Sequence, residues 1–483
     1  MSLIATSDKK VVIGMGATGQ SVVRFLLRTG FVPVVVDSRS QPPGLEQFHA
    51  EFPDVPVETG PLNAETLLAA SEIIASPGIA LAEPALQQAV AAGIPVVGDI
   101  ELFARALNKL AQPPKLVAIT GSNGKSTVTT LVGEMAAAAG VDVRVGGNIG
   151  VPVLDLLEPS ARGKSETSAQ GEWQSLPQLF VLELSSFQLE TTSSLVPTAA
   201  TILNLSADHM DRYASLADYH RAKQRIYRNA QQLVVNRADP LTRGPLSRGS
   251  REWSFGLDKP DLQQFGVQAF ADGGRESGNS TEWLVQGSDK LLPVSALAMV
   301  GRHNVANALA ALALGSAVGL PLAAMQSVLR RFNGLPHRCE RVLDLDGVTF
   351  VNDSKGTNVG ATRAALDGLA TEERKIVLIA GGDGKGADFA PLAEAAGALR
   401  ALVTIGADGP RIAAVFDGLV DSHSAASMDA AVACARALAR PGDFVLLSPA
   451  CASFDMYRNF EARGDDFRRA VAALDTAPAG GGQ

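Results

Sequence analysis

Cysteine is nearly missing from this chain. Three occur in 483 residues, Cys339, Cys434 and Cys451, and no CxxC pair is among them. That excludes a disulfide framework and a cysteine-ligated zinc site, and leaves each as a small buried hydrophobe in a reducing cytosol. Dense basic runs are also missing. Lys and Arg number 42 against 50 Asp and Glu, for a net charge of −8. Nucleic acid and anionic membrane are thereby excluded as main partners, while small anionic ligands held by local loops are not. No apolar run is long enough to span a bilayer. The best candidate, VANALAALALGSAVGLPLAAM (305–325), carries Asn307 and is broken at Gly319-Leu320-Pro321. It reads as a buried helix and a turn, with no membrane insertion expected. The opening residues, MSLIATSDKKVVIG, hold no apolar leader after the basic pair, so a cytoplasmic location is expected. Fixed-period repeats are absent as well.

What is present is a long chain, 46% hydrophobic and 19% charged, with 47 glycines and 26 prolines. The length predicts two to four domains, and the glycines suit many short βα turns. Strand-like runs KKVVIG, VPVVVD, EIIAS and IPVVG alternate with helical stretches up to about residue 100, which predicts parallel βαβ units. NKLAQPPK (108–115) reads as a linker. A second block carries the apolar strands LFVLELS (179–185) and AATILNLS (199–206), a polar exposed loop at 158–178, and hairpins at 266–290 turning at Asp272-Gly273-Gly274. From about Leu335 the alternation resumes with VTFVNDS, KIVLIAGG, ALVTIG and DFVLLSP. The tail TAPAGGGQ is expected to be disordered. The expected class is α/β, in three domains: a Rossmann-like 1–103, a central P-loop ATPase with a mostly parallel sheet over 104–334, and a second Rossmann-like 335–483.

Three glycine loops follow strands. VVIGMGATGQS places Gly14, Gly16 and Gly19 in a GxGxxG, with Asp37 where a ribose-binding acid would stand and Ser38-Arg39 beside it. Alone, this motif suggests a nicotinamide dehydrogenase, with a tight ligand-free turn as the lesser alternative. AITGSNGKST (118–127) lacks the first glycine of the common phosphate loop, since Ile119 occupies that place. It still supplies converging amides from Gly121 to Gly124, a cation in Lys125, and the hydroxyls of Ser126 and Thr127 for a magnesium-bound phosphate. GGDGKGAD (381–388) offers Lys385 without a following hydroxyl. It reads either as a βα turn or as a loop presenting a cation to an anionic substrate. Glu183 ends an apolar strand, as a magnesium-binding acid would. Asp208, His209 and Asp211 lie past another strand end, on the ligand side of such sheets.

With these stretches quoted, the chain resembles the Mur ligase family. The matching segments are ASPGIA (75–80), GDIELF (98–103), TGSNGKSTVTTLVGEM (120–135), GGNIG (146–150), LELSSFQLETTSSL (182–195), DHMDRY (208–213), LPHRCE (335–340), NDSKGTNVGAT (352–362), GGDGK (381–385) and SPACASFD (448–455). The short loop GxNGKST is that family's version. SSFQLE and SPACAS are similar to the member that adds D-glutamate, and the DNPR-type motif of the diaminopimelate- or lysine-adding relatives is absent.

The resemblance implies an ATP-dependent amide ligase that acts on UDP-N-acetylmuramoyl-L-alanine and D-glutamate through an acyl phosphate, as a monomer. It implies ATP on Gly121, Ser122, Asn123, Gly124, Lys125, Ser126 and Thr127, with Asn304, Asn307, Arg338 and Asp353. It implies the UDP-sugar on Gly16, Ala17, Thr18, Asp37, Ser38, Arg39, Ser76 and Asn148. D-Glutamate falls to His337, Lys355, Thr357, Lys385, Ser453, Phe454 and Phe460. Two Mg²⁺ are implied, held by Ser126, Glu183, His209 and Lys223, the last as a carbamate. Lys125, His209 and Lys223 are the implied catalytic set. The chain departs from the family pattern in three places. The interval from His209 to Lys223 is one residue shorter, Phe454 replaces a common leucine, and the 158–178 loop is longer. Another Mur ligase or a folylpolyglutamate synthase is the rival within the superfamily. An NAD-dependent oxidoreductase or an ATP-binding switch is the rival outside it.

Overall fold

The computed structural model describes residues 8–158, 176–206, 208, 210, 212–244, 251–271, 280–370 and 374–476. The 158–178 loop, the Asp272 turn and the terminal tail lie wholly or mostly outside that set, as do His209 and Asp211. The described chain groups into two compact units. The first comprises residues 1–205, 209–255 and 310–325, and the second 206–208, 256–309 and 326–483.

In the first unit, β1 (Lys10–Ile13), β2 (Val34–Asp37), β3 (Val57–Thr59), β4 (Glu72–Ala75) and β5 (Val96–Val97) form a parallel sheet ordered β3-β2-β1-β4-β5. Runs such as VVI and IIA are buried on both faces, which is why they are apolar throughout and do not alternate. Six further strands of this unit are β6 (Lys115–Thr120), β7 (Val143–Gly147), β8 (Leu179–Glu183), β9 (Ala199–Ile202), β10 (Gln232–Asn236) and β11 (Arg251–Phe255). They run parallel in the order β11-β10-β9-β6-β8-β7. One apolar core joins both sheets. Phe103, on the helix Asp99–Asn108, meets Phe180 of β8 edge-on with ring centroids 5.1 Å apart. The expected linker is the coil between that helix and β6.

The second unit holds an antiparallel meander, β12 (Phe265–Ala271), β13 (Ser280–Gln286) and β14 (Asp289–Pro293). Its other sheet comprises β15 (Glu340–Leu345), β16 (Val348–Asn352), β17 (Ile376–Gly381), β18 (Leu399–Ile405), β19 (Ser422–Ser424) and β20 (Phe444–Leu447). The order is β15-β16-β20-β17-β18-β19, parallel except for the β15–β16 hairpin. The apolar 305–325 run, whose residues 310–325 belong to the first unit, supplies most of a buried helix, Arg302–Ala317. A left-handed Gly319 and a second helix, Leu322–Arg331, follow. Among the described residues no helix is long and apolar enough to cross a membrane. Cys339 and Cys451 are buried as expected, while Cys434 is only half-buried.

Candidate active site

The first glycine loop follows β1. Gly14 has φ +100°, and a Cβ on Gly19 would stand 1.8 Å from the Gly14 carbonyl oxygen, so no larger residue fits either position without moving the loop. Gly16 caps the helix Ala17–Arg28. Asp37, at the end of β2, is buried. It accepts the Met15 N–H (3.0 Å) and both the backbone N–H and the guanidinium of Arg39, at 2.7–3.1 Å. The Arg39 side chain is the chief reason the Asp37 carboxyl lies below its ordinary value. The acid therefore orders the glycine loop as well as facing the site. At the carboxyl ends of these strands lies a cavity of about 500 Å³. Gly16, Ala17 and Thr18 line it from the first loop, Asp37, Ser38 and Arg39 from the second, Ser76 from the third, and Asn148 from beyond β7. All eight residues assigned to the UDP-sugar thus meet in one place. Pro77, Gly78, Ile79, Gly147 and Gln188 complete the wall and were not singled out from the sequence, although ASPGIA, GGNIG and SSFQLE contain them. Gln188 is fixed by a reciprocal cap with Ser185 at the start of a short helix.

The second loop follows β6 and opens the helix Lys125–Ala138. Gly121 (φ +153°) packs on Leu203, and Gly124 (φ +80°) is the left-handed cap. Asn204, at the end of the β9 strand run, steadies the loop. Its carbonyl accepts the Ser122 N–H, its side-chain oxygen accepts the Asn123 N–H (2.8 Å), and its amide donates to the Asn123 carbonyl (3.0 Å). Lys125 Nζ folds back over the loop and donates to the carbonyls of Gly121 and Ser122, both at 2.9 Å. Ser126 and Thr127 are buried beneath it. The Ser126 hydroxyl donates to Glu183 Oε2 (2.6 Å), and the Asn148 amide donates to Glu183 Oε1 (2.8 Å). Asn148 therefore touches both the cavity and the acid of the phosphate site. Lys223, 1% exposed, donates to the Gly121 carbonyl (2.9 Å) and to Thr120 Oγ1 (3.3 Å), with its Nζ 4.6 Å from the Tyr219 ring centre.

A hydroxyl and a buried carboxylate whose contacts are themselves neutral groups make a hard, oxygen-only donor pair beside a phosphate loop. That chemistry suits Mg²⁺, which takes one or two protein ligands and completes its shell with phosphate and water. Among the described residues no group of three or more His, Cys, Asp or Glu is placed to hold a metal ion. His209 lies outside the described residues.

The second unit gathers the remaining candidates. On the first turns of the helix Arg302–Ala317, the Asn307 amide donates to Asn304 Oδ1 (3.0 Å), and the Asn304 amide donates to the Val300 carbonyl (2.8 Å). Asp353 follows β16, and burial pushes its carboxyl up to about 6. It accepts the Cys339 N–H (3.1 Å) and the Ser448 hydroxyl (2.7 Å), and the charge of half-buried Arg338 pulls the other way. His337 has φ +61° and is buried. Its ring meets the Asn352 amide at 3.0 Å and Phe460 edge-on at 6.1 Å, and burial lowers its pKa. These contacts pack His337 firmly between Asn352 and Phe460. Lys355 Nζ stands 4.1 Å over the Phe460 ring, and Lys385 Nζ 5.4 Å over Phe454, which is 65% exposed. Thr357 is half-buried and Ser453 buried.

The third glycine loop departs from a phosphate cradle. No α-helix begins behind it; a 3₁₀ segment, Ala390–Ala398, comes next. Its amides are committed within the protein. Gly381 donates to the Pro449 carbonyl, Asp383 to the Ala452 carbonyl, Gly384 to Asp408 and Lys385 to Asp383. Sequence reasoning missed the residue that holds these loops together. Arg463 is buried, and its guanidinium donates to Ser354 Oγ (3.0 Å) and to the carbonyls of Ser354 (2.9 Å), Cys451 (3.1 Å) and Ala452 (3.2 Å). Burial lowers its pKa to about 10. A single Arg in EARGDDF carries no motif that would have marked it.

Comparison with known proteins agrees with this geometry. The Mur ligase MurD-like N-terminal domain matches residues 8–98, the Mur ligase middle domain 119–315, and the Mur ligase glutamate ligase domain 337–451. Curated proteins named UDP-N-acetylmuramoylalanine–D-glutamate ligase match across nearly the whole chain. The one from Pseudomonas aeruginosa is 52% identical and the one from Marinobacter nauticus 50% identical, each over 98% of this chain and 100% of the relative. Among solved structures, the UDP-N-acetylmuramate-alanine ligase of Thermotoga maritima superposes with a TM-score of 0.55 at 19% identity, covering 97% of this chain and all of that one. The MurF ligase of the same organism, solved with ADP, gives 0.57 at 15% identity over 93% of this chain and 97% of that one. At such low identity these two likenesses concern the fold alone. The family-model matches and the full-length relatives together establish that the chain belongs to the Mur ligase family.

Proposed function

We infer that the chain joins D-glutamate to UDP-N-acetylmuramoyl-L-alanine at the expense of ATP, a step in making peptidoglycan precursors. Relatives half identical over the whole chain bear that name. The observation that carries the reading is the position of Asn148, which lines the 500 Å³ cavity and at the same time donates to Glu183 beside Ser126. A nucleotide-sugar in the cavity can therefore bring its carboxylate end toward the phosphate loop.

A carboxylate is a poor electrophile, because oxide is a poor leaving group. Attack of its oxygen on the γ-phosphorus, with ADP leaving, gives an acyl phosphate. The D-glutamate amine then attacks the carbonyl carbon, and inorganic phosphate leaves as the amide forms. Such transfers need positioning and charge neutralisation more than covalent help. Lys125 is assigned the phosphates, which requires it to release the Gly121 and Ser122 carbonyls. Ser126 and Glu183, with His209, would hold Mg²⁺, which would supply charge screening between carboxylate and triphosphate. Asn304, Asn307, Arg338 and Asp353 are assigned to the nucleotide. Lys355, Lys385, Thr357 and Ser453 suit a substrate with two carboxylates, with Phe454 and Phe460 as its apolar walls. Lys223 is read as a carbamate, its ammonium having lost one proton, added CO₂ as the free amine, and lost a second proton. That turns a buried cation into an anion fit for a second magnesium. We also read the protein as a cytoplasmic monomer divided at about residues 103 and 334.

The test is phosphate release with UDP-N-acetylmuramoyl-L-alanine across a panel of amino acids. Release that requires D-glutamate is expected. Equal release with L-lysine, diaminopimelate or no amino acid at all would overturn the assignment. In the same assay, Lys223→Ala should recover partly when short carboxylates are added, and complete lack of rescue would count against the carbamate.

A further inference from the structure

We propose that Arg212 is a positioning residue that holds the lip of the nucleotide-sugar cavity in place and couples filling of that cavity to the phosphate loop. The inference rests on the reading of the cavity given above and concerns a residue that takes no part in the chemistry.

The lip is the segment Pro77-Gly78-Ile79 after β4. All three residues line the cavity. A Cβ on Gly78 would meet nothing within 4 Å, so the centre of the lip has no close packing to fix it. Arg212 supplies what is missing. Its Nη1 donates to the Pro77 carbonyl (2.8 Å) and its Nη2 to the Ile79 carbonyl (3.0 Å). Two carbonyls gripped by one planar fork define both position and orientation, which a point charge on a flexible stem cannot do. The guanidinium has two further contacts. Nη2 pairs with Glu190 at 3.2 Å, and Cζ lies 4.1 Å from the centre of the Phe187 ring.

Phe187 begins a column of rings. It stacks on Tyr213 with centroids 6.0 Å apart and an interplanar angle of 20°. Tyr213 packs on Tyr219 at 5.2 Å. The Tyr219 hydroxyl is 3.3 Å from Ser122 Oγ in the phosphate loop, and its ring lies beneath Lys223. The rings of Tyr213 and Tyr219 are buried as a cluster with Ala222, Phe187 and Leu205. One side chain therefore joins the lip of one ligand site to a packed path that ends on the other. Close-packed elements transmit displacement poorly by bending and well by shifting together. When the lip settles on a ligand, the guanidinium and its ring column are held, and the phosphate loop loses freedom with them. Ligand affinities linked in this way are reciprocal.

The experiment compares wild type with Arg212→Met and Arg212→Lys in the full chain. Dissociation constants are measured by calorimetry for UDP-N-acetylmuramoyl-L-alanine alone, for a non-hydrolysable ATP analogue alone, and for each in the presence of the other. Arg212→Met is expected to weaken the nucleotide-sugar about tenfold, to leave the ATP analogue alone within about twofold, and to abolish the effect of either ligand on the other. Arg212→Lys keeps the charge without the fork and is expected to fall between. Unchanged affinity for the nucleotide-sugar, or equal weakening of both ligands, overturns the proposal. Circular dichroism checks folding, and if Arg212→Met does not fold the same outcomes are read from Arg212→Lys. Wild type that fails to bind the nucleotide-sugar at all would instead refute the cavity assignment.

Discussion

Two loops in this molecule look alike in one dimension and differ in three. GSNGKST and GGDGK both follow a buried parallel strand, and both end their glycines on a lysine. Behind the first stands a helix of 14 residues, Lys125–Ala138. A helix start leaves its first amides without intrahelical partners and adds the positive end of the macrodipole. Behind the second no α-helix starts, only a 3₁₀ segment, and four of its amides are already bonded to carbonyls or to the carboxylates of Asp383 and Asp408. Those two acids also set a negative field where a phosphate would sit. The first loop is built as a cradle. The second is a rigid mount for one cation, with Gly381 and Gly382 (φ +127° and +132°) pressed against the Ile405 and Ala452 carbonyl oxygens. A lysine after glycines acquires its meaning from the amides around it.

If that contrast is right, the two lysines fail differently. Lys125→Ala should cost the most, at least about 10³-fold in kcat, with the thermal unfolding profile little changed because its bonds to Gly121 and Ser122 hold only the carbonyls of its own loop. Near-normal turnover with normal ATP affinity would break the comparison at its stronger half. Lys385→Ala should raise KM for D-glutamate about tenfold and leave KM for ATP nearly constant. A parallel rise for ATP would mean that the second loop cradles phosphate after all, despite its committed amides.

The parts that were legible in the sequence are those where one local pattern specifies one local structure. Strand–glycine–helix signatures placed Gly16, Asp37, Gly121, Lys125 and Glu183 at strand ends, where the structure has them. Ile119 in place of a glycine reads as a shortened loop that keeps its ligands, and the family resemblance adds that this is the family's own version. The third loop was left open between a turn and a cation mount, because its sequence does not show which acceptors will come to meet its amides. Arg463 and Asn204 were invisible for the same reason. Each acts through carbonyls or amides distant in sequence, and an acceptor carbonyl has no residue identity to read. The second core boundary was also illegible. Phe103 and Phe180 meet only because the chain folds the two sheets of the first unit onto one core.

The smallest effect concerns the acid behind the first unit's cavity, which can be set against the acid in the second. Burial pushes both Asp99 and Asp353 up to about 6. Asp353 has donors on both oxygens, whereas Asp99 Oδ1 has no close partner and Oδ2 accepts a long bond from Gln188, at 3.3 Å, with the Ile100 backbone N–H pulling weakly against burial. A raised carboxyl favours the folded state when protonated. Wild type therefore gains stability as pH falls from about 6 toward the ordinary aspartate range near 3.8, and carries the cost of a buried charge above it. Asp99→Asn removes that cost while keeping an oxygen for Gln188. It should be more stable than wild type by about 1–3 kcal/mol at pH 7.5, with denaturation midpoints converging near pH 4. Asp353→Asn should not share this gain, because the amide nitrogen would face the Cys339 N–H or the Ser448 hydroxyl in place of an acceptor, and one donor would be left unmatched. Midpoints for Asp99→Asn that stay parallel to wild type across that pH range would show that Asp99 is no more strained than its counterpart.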